Sequence, residues 1–343
     1  MTVIRDGKET VKYERKEAIP QTSLRYAMGA SVKERFFIIM VIAGLLLTGC
    51  GKAKNSEKDT EQTTLRIGMM SSLDVIPYEL MKEKKLDEKY GFQLKLEVFT
   101  AAKDRDAAFT AGELDGVLTD YIGVCMYQNG GFDVRITGIT DGDYLLLAGK
   151  NAGIKDIGGI KGRSVAISEN TLIEYTLDSI LGNNGLQPEA VKKEAIPRIP
   201  DRLEMLRNDK IDLVLLPEPF ATLALNDGAV YLGSANEYGL YPAVSAFSKK
   251  ALGEKEESVR SLYKAYNEMV DYINGTDASE YEDAVIKAAG YPEEMKGHIE
   301  IKQFRTSKLP EKGEVKAAIA WAADKGLCSK ELTYDKVVYD VYK

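Results

Sequence analysis

The sequence predicts an α/β protein of two lobes with a cleft between them. Three observations carry this expectation. From residue 65 onward, short apolar or alternating runs of strand length take turns with amphipathic helical stretches. That strand–helix cycle starts afresh near Asn151. About 280 residues follow residue 63, enough for two units of ordinary domain size. Alternation of this kind builds sheets with parallel pairs and right-handed crossovers.

Residues 65–70 (LRIGMM) read as a strand and residues 78–89 as an amphipathic helix. Residues 92–99 alternate polar and apolar side chains, the period of a half-buried strand. Residues 104–111 read as a helix, 116–119 as a short buried strand, and 134–140 and 144–148 as further strands. The second cycle opens on a glycine-rich turn at 153–162, then a strand at 164–167 and a helix at 172–183. Another strand and helix follow through Arg207. Residues 212–216 form a buried strand ending at Pro217, which has no N–H to continue a ladder. Residues 254–273, 280–289 and 312–326 are mainly helical, with charges spaced along their exposed faces.

Open α/β sheets bind ligands beyond the carboxyl ends of their strands, so the residues just after each strand are the candidate site. Four segments qualify. Ser71, Ser72 and Asp74 follow the first strand, and Asp120 and Tyr121 follow 116–119. Ser168, Asn170 and Thr171 follow 164–167 and lead into Glu174 and Tyr175. Glu218, bracketed by Pro217 and Pro219, follows 212–216. Hydroxyls and amides at helix starts serve as caps, and free N–H groups there can hold a polar or anionic ligand. The four carboxylates, with Tyr121 and Tyr175 for stacking, favour a neutral or cationic nitrogen heterocycle. An anion is the alternative, held by backbone N–H groups and helix dipoles.

Particular runs carry a family resemblance. They are GELDG at 112–116, KDIGGIKGR at 155–163, and above all LRNDKIDLVLLPEPFATLAL at 206–225. Over residues 64–343 the chain resembles substrate-binding lipoproteins of ABC importers, in the broad sulfonate, nitrate and thiamine-pyrimidine binding family. The resemblance implies a two-lobe, type II periplasmic-binding-protein-like fold with a ligand cleft between the lobes. It places lobe 1 at 64–148 and 246–343 and lobe 2 at 149–245, with crossings near 148–151 and 234–241. It further implies a small-molecule ligand, thiamine-pyrimidine-like in the favoured reading and a sulfonate or nitrate in the alternative. An ABC permease with its ATPase is the implied partner, a monomer the expected state, and no cofactor is required. A ligand-dependent sensor lipoprotein is the other non-enzymatic reading.

Composition excludes several classes. The single His298 lies in a charged stretch, so a Ser–His–Asp arrangement has little to rest on, and no His/Cys cluster has metal-ligand spacing. The enzyme reading is set aside. The run Gly158–Gly162 precedes a strand and lacks a Gly-Lys-Ser/Thr ending, so it is a turn. Cys125 and Cys328 show no spacing pattern, and both a free and a paired state are open.

The N-terminus carries an export signal. Lys33 and Arg35 precede an unbroken apolar run over 36–47, closed by Leu47-Thr48-Gly49-Cys50. Such a run is too short for roughly 30 Å of hydrocarbon but suits a signal-peptide core. The order of charge, apolar run, small residues and thiol resembles a lipobox, with cleavage after residue 49 and lipidation of Cys50. Residues 1–27 are dispensable to such a signal, and Met28 is the expected true start. Residues 50–63 read as a charged, flexible tether to the outer face of the membrane. Without residues 1–49 the chain holds 38 Lys and Arg against 48 Asp and Glu, an acidic balance with no basic cluster that excludes nucleic acid as a partner.

Overall fold

The computed structural model describes residues 63–299 and 301–343. The expected export signal, Cys50 and all of the expected tether but Thr63 lie outside the described residues. The first lobe begins with β1 (Thr63–Met70), α1 (Ile76–Glu83), β2 (Phe92–Phe99), α2 (Ala102–Thr110), β3 (Gly116–Asp120), α3 (Tyr121–Asn129) and β4 (Val134–Ile139). The second holds β5 (Tyr144–Ala148), β6 (Ser164–Ile167), α4 (Leu172–Asn183), β7 (Lys192–Ala195), α5 (Ile199–Arg207), β8 (Leu213–Pro217), α6 (Phe220–Asn226) and β9 (Val230–Ser234). The chain then returns to the first lobe with β10 (Ala243–Ser248), α7 (Lys249–Gly275), α8 (Glu282–Ala289) and α9 (Lys312–Asp324).

Each lobe is built on a five-stranded mixed sheet, ordered β2-β1-β3-β10-β4 in the first and β7-β6-β8-β5-β9 in the second. Four strands of each sheet run in one direction, and the fifth, β10 in the first and β5 in the second, comes from across the boundary and runs antiparallel between two of them. β5 pairs antiparallel with β8 and β9, so it belongs to the second lobe. This corrects the expected first crossing from 148–151 to 140–143, and the resumption of lobe 1 from 246 to the start of β10 at Ala243. A strand's own residues reveal its burial and not which sheet it joins.

Apolar side chains of β1 (Leu65, Ile67, Met69) meet α1 and α7 in one core of the first lobe, and α3 meets α9 in another. The second lobe is packed on both faces of its sheet. The helix expected over 78–89 is broken. Lys85 takes a left-handed φ of 56°, which turns Leu86 back onto the core and lets Asp87 accept a 2.8 Å hydrogen bond from the Leu94 N–H. Among the described residues, no helix is long and apolar enough to cross a membrane.

Candidate ligand cleft

Where the carboxyl ends of the two sheets approach each other, a cavity of about 50 Å³ is lined from both lobes. Met70, Ala102, Arg105 and Asp120 come from the first lobe, and Tyr144, Ser168, Thr171, Ile199, Arg202 and Pro217 from the second. The starts of α2, α3, α4 and α5 converge here, as the strand–helix order requires, and bring the positive ends of their dipoles together.

Arg202 is 1 % exposed, and its Nη1 donates to the carbonyls of Ile196 (3.0 Å) and Pro197 (3.5 Å). Its Nε has no hydrogen-bond partner, and among the described residues no carboxylate lies within ion-pair distance of it. Burial alone lowers its pKa to about 10. Arg105 is equally hidden but paired. Its Nη1 donates to the Leu118 carbonyl at 2.8 Å and its Nη2 meets Asp106 at 2.7 Å. Burial opposes that charge, yet Asp106, Tyr127 and Asp120 outweigh it and hold the pKa above its ordinary value. Gly68 makes room for the Arg105 stem, because a Cβ there would stand 2.5 Å from Leu114 and 3.3 Å from Arg105 Cγ.

Asp120 caps α3, its Oδ1 accepting from the Gly123 N–H at 2.8 Å. Burial raises its pKa to about 6, against the pull of Arg105 and of that cap. Tyr144 is buried beside it, and burial together with Asp74 and Asp120 pushes its hydroxyl well above the usual range.

Of the eleven ligand candidates read from the strand ends, the cavity gathers Asp120, Ser168 and Thr171. Thr171 caps α4, accepting from the Ile173 N–H at 3.2 Å and donating to the Ser168 carbonyl. The others stand outside the cavity lining. Ser71 donates to the Ala289 carbonyl. Ser72 and Thr140 both donate to Asp74, which is buried. Tyr121 donates to Glu314 at 3.1 Å. Asn170 sits at φ 58°, a left-handed conformation that Asn tolerates, and its N–H donates to Glu174. Glu174 is tied up by Lys193 and by Lys325 of the other lobe. Tyr175 packs edge-on against Trp321 at 5.6 Å. Glu218 accepts from the Thr222 N–H at 2.9 Å.

Arg105, Tyr144 and Arg202 were not singled out from the sequence. A signal existed for both arginines. Arg202 falls on the apolar spacing of Ile199, Leu203 and Leu206, and Arg105 lies four residues before Phe109, so each cation occupies a core-facing helix position. A larger cavity, about 240 Å³, opens at the opposite end of the second sheet between α5 and α6, but its charges, Lys150, Arg207 and Asp227, are substantially exposed.

Residues 58–288 match the model of the NMT1-like family. A protein of Brachyspira hyodysenteriae assigned as an ABC transporter periplasmic binding protein is 24% identical over 265 residues, 72% of this chain and 75% of its own. A Bacillus subtilis protein assigned as aliphatic sulfonates-binding is 26% identical over 243 residues, 68% of this chain and 72% of its own. Among solved structures, the alkanesulfonate-binding protein SsuA from Xanthomonas axonopodis pv. citri, bound to MOPS, superposes with a TM-score of 0.69 at 16% identity, over 81% of this chain and 98% of that one.

Proposed function

The chain belongs to the NMT1-like family, and from that premise we propose that it is the solute-binding component of an ABC importer, closing its two lobes on a small anion. The observation that carries the anion is Arg202, a buried cation in the cleft with no carboxylate partner and an unused Nε donor. Four helix starts add positive potential, and Ala102, Ile199 and Pro217 suit an apolar portion of the ligand. The relatives assigned to sulfonates agree with this reading. A cationic heterocycle, favoured by counting acids at strand ends, has one buried carboxylate left to meet. Asp74 and Glu174 are engaged by Thr140 and by lysines, Glu218 accepts a helix N–H with one oxygen, and all three stand outside the cavity lining.

A ligand touching both lobes favours the closed state, and a permease reads that state. We read the site as one for binding, in keeping with the relative assigned as an ABC transporter periplasmic binding protein. Cys50 belongs to the same proposal, as the lipid anchor that keeps the clamp near its permease. Incorporation of labelled palmitate, abolished in Cys50→Ala, tests that part.

Thermal-shift measurements with nitrate, methanesulfonate, longer alkanesulfonates and aminopyrimidines test the ligand class. Anions at millimolar concentration are expected to raise the melting temperature by several degrees. Stabilisation by aminopyrimidines alone would overturn the anion and restore the heterocycle.

A further inference from the structure

Cys125 on α3 and Cys328, four residues beyond the end of α9, converge on one apolar cluster in the first lobe. Both are free thiols, 1 % and 7 % exposed, and each lies near enough to act on the other's ionisation. Cys328 Sγ also points to the Ile319 carbonyl at 3.8 Å. Around them stand Ile122, Val315, Ile319 and Ala322; Asp120 acts on Cys125 electrostatically, and among the described residues no group of three His, Cys, Asp or Glu side chains could hold a metal. Burial holds both thiols above their ordinary pKa, so a solvent-facing nucleophile is excluded.

We propose that Cys125 and Cys328 form a disulfide as the exported chain folds. Two S–H bonds break and one S–S bond forms. Two electrons and, by way of water, two protons pass to an external disulfide, that of a thiol oxidoreductase or of oxidised glutathione, which is reduced to two thiols. The bond forms before the cluster seals, while the thiols still meet solvent. It fastens the C-terminal segment to α3. That segment already reaches β4, where Val338 bridges Ile136 and the Tyr339 N–H donates to the Ile136 carbonyl at 2.9 Å. The crosslink therefore joins the helix capped by Asp120 to the last strand before the first crossing. Export supplies only the oxidising surroundings, and the test does not depend on it or on the ligand.

The full chain is unfolded and refolded in a glutathione redox buffer, digested without reduction, and its peptides are mapped by mass. The expected product joins the peptides of Cys125 and Cys328 and weighs two hydrogens less than the reduced pair. Neither cysteine should be alkylated until a reductant is added. Alkylation of both in the oxidising buffer, or a link from either to Cys50, overturns the proposal. Reduction is expected to lower the melting temperature by about 5–10 °C. A Cys125→Ala, Cys328→Ala double variant should melt identically in both buffers, whatever its own stability. An oxidised wild-type chain that melts no higher than the reduced one also overturns the proposal.

Discussion

A guanidinium taken out of water without a carboxylate loses hydration that two carbonyl bonds replace only in part, and at Arg202 that loss lowers the pKa from 12.5 to about 10. The unfolded chain holds this proton more tightly, so the cost to folding, on the order of 3 kcal/mol, is constant at neutral pH and released only above pH 10. Arg202→Met keeps the length and removes the charge. It is expected to stabilise the protein by about 1 kcal/mol or more in urea unfolding, after the loss of the bonds to Ile196 and Pro197. Anion affinity should fall by about 100-fold in calorimetry; a destabilised variant with unchanged affinity would make Arg202 structural. Asp120 has the opposite chemistry. Its folded pKa, about 6, is above the ordinary 3.8, so it contributes stability that is complete below pH 4 and lost as pH rises through 6. The groups facing it are Arg105 and Asp106 from α2, Tyr127 of α3 and Tyr144 of β5. Asp120→Asn retains an acceptor for the Gly123 N–H and should bind a sulfonate several-fold more tightly at pH 7.5, with no difference at pH 5. Equal pH profiles for the two proteins would remove Asp120 from the site. Both arginines are legible in the sequence only as charges on apolar helix spacing, whereas the acids at strand ends are mostly helix caps and ion-pair partners.

Among the helices, those with a one-sided pattern are readable and the one buried all round is not, whereas the buried strands β3 and β8 are legible as short apolar runs. β1, β2 and α4 follow their expected bounds closely because apolar and polar positions alternate with the correct period. α3 escaped notice because Tyr121, Ile122, Gly123, Val124, Cys125 and Tyr127 are all buried, leaving no polar face to reveal a helical period. α4 and α9 then make a contact no local pattern announces, since it joins the lobes. Glu174 and Asp178, one turn apart on α4, share Lys193. From α9 and the residue after it, Trp321 Nε1 donates to Asp178 at 3.1 Å and Lys325 pairs with Glu174. Burial alone would raise the Glu174 pKa, but the Asn170 N–H, Lys325 and Lys193 prevail and hold it below its ordinary value. Its stabilisation is therefore present above the unfolded carboxylate pKa and lost as pH falls through the lower folded one. Lys325→Ala leaves Lys193 and the Trp321–Asp178 bond in place but removes the ion pair between lobes. We expect a larger radius of gyration in small-angle scattering and about 3–10-fold weaker anion binding, with the melting temperature nearly unchanged. A scattering curve and an affinity indistinguishable from wild type would show that this contact does not govern closure.

At the scale of the whole molecule, both chain crossings are held by one residue of the returning segment. The Arg305 backbone N–H donates to Asp141 Oδ2 at 2.7 Å, its Nε bonds the same carboxylate, and its Nη2 reaches the Thr140 carbonyl at 3.3 Å, all in the first crossing. The guanidinium plane also lies over the ring of Tyr241 in the second crossing, 4.4 Å from its centroid. A hinge that two lobes share must flex at few positions, and a planar fork touching both strands of it couples their movements. Nothing in the run of residues around 305 marks this, because the partners lie more than 60 positions away and come together only once β5 and β10 have exchanged lobes. Arg305→Ala keeps the backbone N–H bond to Asp141 but removes the Nε and Nη2 bonds and the stack together. It is expected to destabilise the protein by about 1–3 kcal/mol and to speed anion release in stopped flow by about tenfold, with association little changed. Arg305→Lys separates the two contributions. Lysine can keep the charge beside Asp141 but not the planar contact with Tyr241, so stability should largely recover while release stays fast. If lysine restores both, the crossing is held by charge alone; if alanine alters neither, the hinge is set elsewhere.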